Sequence, residues 1–251
     1  MYDPSEYGEK VGADYDLLYP EAHLDSAPTV AALARLAATN GSSRSILEFG
    51  IGTGRLGLTL LEAGFTVAGI EGSEVMLAQL RAKPRGREID VVVGDYATAR
   101  VDGAFSVVVL PFNGIFGLPT RQSQIDCFAN AARHLEPGGC FVIEAFVLRP
   151  EQLGGEWTMR PRSIEHEHVE LELSRYGPAP DHVERTLVHL RPDGVRFLAL
   201  TDNYAWPGEL DLMAAAAGLH LRARHGGWLG EGFDVSSRTH VSIYEAAQPA
   251  Q

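Results

Sequence analysis

Hydrophobic and polar positions follow a regular rhythm over the first 146 residues. Short apolar runs rich in β-branched residues predict strands at 45–49, 66–71, 90–94, 105–110 and 140–146. Apolar residues at helical spacing predict helices at 27–38, 55–63, 74–83 and 122–134. Alternating helices and continuously apolar strands are typical of an α/β parallel sheet that helices cover on both faces.

The rhythm changes after Phe146. Alternating stretches at 166–174, 182–190 and 196–204 are separated by the turn-forming sequences GPAPD and RPDG, and they predict antiparallel strands of a small added sheet. Pro207 and Gly218 stand where a last helix should begin and end. Two final strands are predicted at 220–224 and 239–245.

A length of 251 residues without internal repeats predicts one domain, 1–251. We divide it into a lid and first helix (1–40), a core (41–147), an antiparallel insertion (148–206) and a last helix with two strands (207–251). We read Cys127 and Cys140 as reduced and structural, because two cysteines on a helical and a strand pattern do not form a disulfide framework.

The chain carries 21 Lys and Arg against 33 Asp and Glu, a net charge of −12. This charge repels phosphate backbones and anionic membranes, so we expect no nucleic-acid or membrane partner but a small-molecule acceptor. Self-association into a homo-oligomer stays open. The N-terminal sequence lacks the pattern of a signal peptide and no apolar stretch reaches 18 residues, so we expect a cytoplasmic protein.

The stretch ILEFGIGTGRL (46–56) places Glu48, Gly50, Gly52 and Gly54 after the first predicted strand. A dinucleotide-binding fingerprint needs its third glycine where Arg55 stands, which argues against a nicotinamide-dependent oxidoreductase. The stretch resembles the [ED]xGxGxG motif of class I methyltransferases that depend on S-adenosyl-L-methionine (SAM). There, a backbone without side chains lets the methionine part of SAM approach closely.

Further family motifs follow at the expected spacing. Glu71 ends the second strand, where the resemblance implies a carboxylate that accepts from both ribose hydroxyls. Asp95 and Tyr96 follow the third strand and correspond to the residues that accept from the adenine amine and line its ring; Met76 would cover the other face. The resemblance implies SAM as cofactor and S-adenosylhomocysteine as product. Its cofactor-binding candidates are Tyr15, Glu48, Gly50, Gly52, Gly54, Glu71, Met76, Asp95, Tyr96 and Leu110.

The same resemblance implies a Rossmann-like, doubly wound, mostly parallel seven-stranded sheet, with a small antiparallel sheet and an N-terminal helical lid. The stretch 110–117 lacks the Asn/Asp-Pro-Pro-aromatic motif of base methyltransferases and resembles the FNxxFxL of natural-product enzymes. Paired acids of the cation-dependent type are not evident, so we expect no catalytic metal.

Tyr7 and the sequence Tyr15–Tyr19 resemble the YDxxY lid of sugar and amino-acid N-methyltransferases, most of all those of lincosamide antibiotics. Phe116 stands where sugar N,N-dimethyltransferases carry a histidine. Aromatic faces around the sulfonium would stabilise its charge, so Tyr7, Tyr15 and Phe116 are the catalytic candidates.

No base is tied to a motif. An amine needs only to lose its proton before attack, whereas a hydroxyl needs a placed base, so we favour N-methylation. O-methylation of a hydroxyl or carboxyl and a non-catalytic SAM-binding module remain alternatives. The run EHEH (165–168) would place His166 and His168 on one face of a strand, but zinc takes three or four ligands. We therefore interpret it as a solvated strand rather than a metal site.

Overall fold

The computed structural model describes residues 3–12, 15–19, 26–40, 43–148, 155–177 and 181–246. The helices are α1 (Glu6–Val11), α2 (Tyr15–Leu18), α3 (Ala27–Asn40), α4 (Arg55–Glu62), α5 (Glu74–Ala82), α6 (Gly114–Gly117), α7 (Arg121–His134) and α8 (Pro207–Ala216). The strands are β1 (Ser45–Phe49), β2 (Thr66–Glu71), β3 (Asp90–Val93), β4 (Phe105–Leu110), β5 (Leu135–Phe146), β6 (Thr158–Ile164), β7 (Val169–Tyr176), β8 (His182–Arg191), β9 (Gly194–Asn203), β10 (Leu219–His225) and β11 (Thr239–Ala246).

The main sheet has seven strands in the order β10-β11-β5-β4-β1-β2-β3. Strands β1 to β5 pair in parallel, and β11 runs antiparallel to both of its neighbours. A separate four-stranded sheet, β6-β7-β8-β9, is antiparallel throughout. The predicted α/β class, mostly parallel seven-stranded sheet and added small antiparallel sheet are confirmed.

Alternate side chains of the central strands enter two separate cores. Leu47 and Val108 face the core formed with α7 and α8, whereas Ile46 and Val107 face the core formed with α3, α4 and α5. All four are fully buried. Because both faces of the sheet are covered, its strands are apolar without interruption, and this is why the sequence pattern located them.

The added sheet departs from the predicted strands in two ways. Strand β6 was not predicted, because its sequence TMRPRSI shows no apolar alternation. The run Glu165–His168 is the turn between β6 and β7, closed by a hydrogen bond from Glu165 N–H to His168 O at 2.8 Å. The prediction that His166 and His168 share a strand face is therefore wrong.

Two smaller findings concern β5 and the cysteines. Leu135 already pairs with Phe105, so β5 begins five residues before the predicted strand and contains a register shift. Cys127 and Cys140 are free and buried.

Among the helices of the described residues, none has the length and apolar character needed to cross a membrane. The division of the chain at residues 40, 147 and 206 stays a prediction.

Candidate cofactor and acceptor site

A cavity of about 480 Å³ opens at the carboxyl ends of β1, β2 and β4. Ligands of open α/β sheets bind at this edge, and the volume suits a small organic ligand. Four parts of the chain form its wall: the lid helices, the turns after β1 and β2, the loop after β4, and the added sheet. Residues on the wall include Tyr7, Tyr15, Tyr19, Glu48, Gly50, Gly52, Glu71, Met76, Tyr96, Leu110, Phe112, Arg185 and Asp202.

The turn after β1 exposes bare backbone to this cavity. Gly50 and Gly52 have φ angles of +67° and +57°, a region that glycine enters without steric cost. A Cβ on Gly52 would meet no described atom closer than the Gly50 carbonyl oxygen at 3.9 Å, so it would occupy the cavity itself. This cradle fits a ligand that lies against the main chain, as the methionine part of SAM would.

Gly54 serves a different purpose from the one expected. It does not lie on the cavity wall as far as the described residues define it. A Cβ there would lie 2.3 Å from Leu80 Cδ1, and the φ angle is +83°. The third glycine therefore allows α4 to begin against α5 rather than making room for a cofactor.

Glu71 ties the turn after β1 to the turn after β2. Its Oε2 accepts from Gly52 N–H at 2.8 Å and its Oε1 accepts from Ser73 N–H at 2.9 Å. Burial raises the pKa of Glu71, while these backbone hydrogen bonds oppose the shift. Each carboxylate oxygen can accept more than one hydrogen bond, so both oxygens retain acceptor capacity for the hydroxyls of a ribose.

Glu48 also lines the cavity, and its hydrogen bonding is incomplete. Its Oε2 is buried, and no described residue gives it a hydrogen bond. Burial raises the pKa of Glu48 to about 8; nearby Arg55 opposes this and Glu71 adds to it. Buried polar atoms without partners are rare in native proteins. A cationic ligand group such as the ammonium of SAM would satisfy this carboxylate.

The wall expected to hold adenine is largely present. The Tyr96 ring stacks on Phe49 with centroids 6.2 Å apart, and its hydroxyl donates to Gly114 O at 2.8 Å. Met76 and Leu110 are buried beside it on the wall. Asp95 differs from the prediction: its Oδ1 accepts from Ala97 N–H at 2.8 Å, and within the described part of the chain it does not line the cavity.

The lid helix α1 sits on the start of α5 because two side chains are missing at the contact. A Cβ on Gly8 would lie 2.2 Å from Ser73 Cβ. A Cβ on Gly72 would lie 2.4 Å from Pro4 O. Heavy atoms do not approach this closely, so both positions must be glycine for the lid to cover the cavity as it does.

A polar cluster fastens α2 to the glycine turn. Asp16 Oδ1 accepts from Thr53 Oγ1 at 2.6 Å, and Asp16 Oδ2 lies 2.6 Å from Lys83 Nζ. Lys83 Nζ also donates to Thr53 O at 2.9 Å. We call these three residues the lid latch. The motif YDxxY includes Asp16, but the sequence gives no sign of its partners in the glycine turn and at the end of α5.

Replacing Lys83 by methionine should loosen the lid latch. Because the ion pair is partly exposed, we expect a cost of about 0.5–1 kcal/mol, which is a two- to fivefold rise in the Kd of SAM. Isothermal titration calorimetry measures it. Arg81, two residues earlier on α5, pairs with Glu74 at 3.6 Å, and Arg81→Met should leave the Kd unchanged. Equal effects of both substitutions would contradict the latch.

Four aromatic rings form a chain from the lid to the loop after β4. Ring centroids are 6.4 Å apart for Tyr7 and Tyr15, 5.0 Å for Tyr15 and Tyr19, and 5.4 Å for Tyr19 and Phe112. We call these four residues the aromatic chain. The sequence motifs contain all four residues, but they give no sign that Phe112 meets the tyrosines. The aromatic chain lines the cavity on the side of the lid.

Phe112 reaches the aromatic chain through a strained backbone. Its φ angle is +56°, which is rare for a bulky residue and is often found at functional sites. Glu144 Oε2 accepts from Phe112 N–H at 2.9 Å, and Asn113 Oδ1 accepts from Phe146 N–H at 2.7 Å. These contacts to β5 hold the loop in place.

Phe116 lies elsewhere than expected. It is fully buried and does not reach the cavity wall in the part of the chain that the structure describes. Its ring packs against Phe146 and Tyr204, with centroids 5.0 and 4.9 Å away. The helical turn of α6 directs Phe116 into the core, and Phe112 supplies the phenylalanine ring on the wall.

The added sheet contributes a largely buried ion pair to the cavity wall. Arg185 on β8 donates from Nη2 to Asp202 Oδ1 at 3.0 Å, and its Nε donates to Asp202 Oδ2. Both residues line the cavity, together with Thr201 and Asn203. Sequence reasoning missed this pair because its two members lie on neighbouring strands with no motif.

Comparisons with known proteins agree with this geometry. A family described as "Methyltransferase domain" matches residues 46–139. The structure of the CcbJ methyltransferase from Streptomyces caelestis is 36% identical, covers 98% of this chain and 100% of that chain, and superposes with a TM-score of 0.85. The cypemycin N-terminal methyltransferase of a Streptomyces species is 28% identical over 98% of this chain and 99% of its own length. With this full-length similarity, the chain belongs to the class I SAM-dependent methyltransferases.

Proposed function

We propose that the protein transfers the methyl group of SAM to a nitrogen atom of a small natural-product acceptor. The observation that carries this proposal is the similarity, over nearly the whole length of both chains, to an enzyme named as an N-terminal methyltransferase. A partial relative, the dTDP-3-amino-3,4,6-trideoxy-alpha-D-glucopyranose N,N-dimethyltransferase of Streptomyces venezuelae, is named for another amine; it is 34% identical over 57% of this chain and 60% of its own length.

SAM supplies a methyl group on a positively charged sulfur. The residues of this chain would hold it as follows: Glu71 would accept from the ribose hydroxyls, Glu48 would receive the ammonium, and Tyr96 and Met76 would contact the adenine. Gly50 and Gly52 would leave room for the methionine part. Most of the rate then comes from aligning the attacking nitrogen with the methyl group and from excluding water beneath the lid.

The phenols of the aromatic chain act as neutral hydrogen-bonding groups. Tyr7 is 39% exposed as a whole residue, yet burial of its phenol and the neighbouring Tyr19 and Tyr15 raise its pKa well above the usual value. Burial also raises the pKa of Tyr15. Both hydroxyls remain protonated at neutral pH. Their oxygens can accept from an amine N–H and so aim the nitrogen lone pair at the methyl group.

The wall from the added sheet suits a polar acceptor. Arg185, Asp202, Thr201 and Asn203 bring charged and hydrogen-bonding groups to the cavity wall. An acceptor with several hydroxyl or carbonyl groups would find partners there. A purely aromatic acceptor would leave the buried ion pair facing an apolar surface.

The test is a methyl-transfer assay with SAM and a panel of primary amines, secondary amines, phenols and carboxylic acids. Mass spectrometry follows S-adenosylhomocysteine and locates the new methyl group. Turnover confined to amines supports the proposal. Turnover on hydroxyls or carboxyls would replace it with O-methylation. SAM binding without product from any acceptor would favour a non-catalytic module.

Replacing Phe112 by alanine should lower kcat/KM about 5- to 30-fold, because it removes the last ring of the aromatic chain and its cation–π contribution of about 1–2 kcal/mol. The SAM transfer assay measures this loss. Phe116→Leu is the matched substitution in the core: it should lower the Tm but retain kcat. A larger loss of turnover in Phe116→Leu than in Phe112→Ala would return Phe116 to the catalytic role first predicted for it.

Exposed apolar residues and net charge bear on whether the protein associates with itself or with nucleic acids. The outer surface of the added sheet exposes Met159, Ile164 and Phe197, each about 70% accessible, and such apolar surface supports self-association into a homo-oligomer. The net charge of −12 supports the absence of a nucleic-acid partner. A cytoplasmic location agrees with two free cysteines.

A further inference from the structure

Three potential metal ligands meet on the added sheet. His168 closes the turn between β6 and β7, Glu170 lies on β7, and His189 on β8 is its direct partner across the strands. One ligand atom of each residue lies within 4.8 Å of the other two. None of the three lines the cavity, although Arg162, which pairs with Glu170, does. The cluster is therefore separate from the methyl-transfer site.

The two imidazoles are placed as neighbouring ligands of one ion. His168 Nε2 and His189 Nδ1 are 3.2 Å apart, and the rings are nearly parallel at 13°. Two nitrogens 3.2 Å apart, each about 2.05 Å from a zinc ion, subtend an angle of about 100°, close to tetrahedral. Without metal, a single proton joins these nitrogens in a hydrogen bond. A cation can replace that proton and bind both.

The cluster is largely buried. His189 is 1% exposed, and the nitrogen that would bind the ion is Nδ1, which faces His168, while its other nitrogen, Nε2, has no hydrogen-bond partner in the described structure. Glu170 is 7% exposed, and its Oε1 lacks a hydrogen bond even though Arg162 Nη1 lies 2.8 Å away as an ion pair.

Arg162 does not prevent a cation from binding. Arg162 contacts Glu170 Oε1, so it can stay there as an outer partner that orients the carboxylate while Oε2 binds the ion. Arg162 also lies 3.8 Å from Glu172, a second carboxylate on β7. The positive charge of the guanidinium is thus already balanced by two buried acids.

We propose that His168, Glu170 and His189 bind one divalent first-row metal ion, with zinc as the best match to two imidazoles and a carboxylate. Water would complete the tetrahedron. The ion would join the β6–β7 turn to β7 and β8 and stabilise the sheet that forms the acceptor wall. Methyl transfer itself needs no metal in this arrangement. The run EHEH alone could not reveal the site, because only His168 of that run takes part.

The test is zinc binding by the full-length protein after treatment with a chelator. A chromophoric zinc indicator in competition with the protein measures Kd and stoichiometry, and thermal unfolding is followed at increasing zinc concentration. We expect one zinc per chain and a Tm that rises with zinc. Loss of a ligand should weaken binding beyond the 10- to 100-fold typical of an outer partner, so His189→Gln should raise Kd at least about 100-fold.

His168→Gln is the second ligand variant, and because His168 is only half-buried it should fold even if His189→Gln does not. Circular dichroism checks both variants. His166→Gln removes an exposed histidine from the same turn and should leave Kd unchanged. The proposal is overturned if the chelator-treated wild-type protein binds no zinc at micromolar concentration, or if His166→Gln weakens binding as much as His168→Gln.

Discussion

Replacing Tyr7 by phenylalanine is expected to lower kcat about 100-fold while the Kd of SAM stays within about twofold, because a displaced reactant in a closed site can lose a factor of this size. The substitution keeps the ring that contacts Tyr15 and removes only the hydroxyl. Without that hydroxyl, the acceptor nitrogen loses the group that aims it at the methyl carbon. Initial rates at saturating SAM and calorimetry of SAM binding measure the two quantities separately.

Tyr176→Phe provides the comparison for this experiment. Tyr176 is a partly buried tyrosine on β7 that does not belong to the cavity wall of the described residues. The same loss of a hydroxyl there should leave kcat unchanged. If Tyr7→Phe retained wild-type turnover, Tyr7 would be a structural residue of the lid and the proposed role of its hydroxyl would be abandoned.

Replacing Glu71 by alanine is expected to weaken SAM binding by about 1.5–3 kcal/mol, or about 10- to 150-fold, the range for hydrogen bonds to a charged group. Two effects combine. The ribose hydroxyls lose their acceptor, and the N–H groups of Gly52 and Ser73 lose the carboxylate that ties the two turns together. Isothermal titration calorimetry with SAM measures the change.

Glu74→Ala removes the same charge three residues further along, from an exposed position on α5. It should change the Kd of SAM by less than a factor of about 2, because exposed charges contribute little. A Tm measurement on both variants shows that the fold is retained. An unchanged Kd in Glu71→Ala would remove Glu71 from the cofactor site.

The main sheet could be predicted from the sequence because burial on both faces leaves an unmistakable pattern. The bounds of β1, β2 and β4 agree with the predicted runs to the residue. The glycine turn and Glu71 were predicted from their resemblance to a family motif, and the positive φ angles of Gly50 and Gly52 give the physical reason for the glycines of that motif. Features that depend only on neighbouring residues can therefore be predicted from short stretches of sequence.

Contacts between distant segments could not be predicted in the same way. Phe112 rather than Phe116 reaches the cavity because Glu144 and Phe146, more than thirty residues away, hold its loop. The ion pair of Arg185 and Asp202 depends on the register of β8 and β9. Asp95 and Gly54 carry the right motif, yet a local hydrogen bond and helix packing account for them here.

The close contact between the lid helix α1 and the start of α5 restricts which residues related chains can carry at these positions. Because a Cβ on Gly8 would collide with that of Ser73, a related chain that gains a side chain at position 8 must lose one at position 73 or lift its lid. Gly72 is restricted differently, because its Cβ would meet the backbone carbonyl of Pro4, which no substitution at position 4 removes. Positions 8 and 73 should therefore co-vary among homologues that keep a closed lid, whereas position 72 should stay glycine in them.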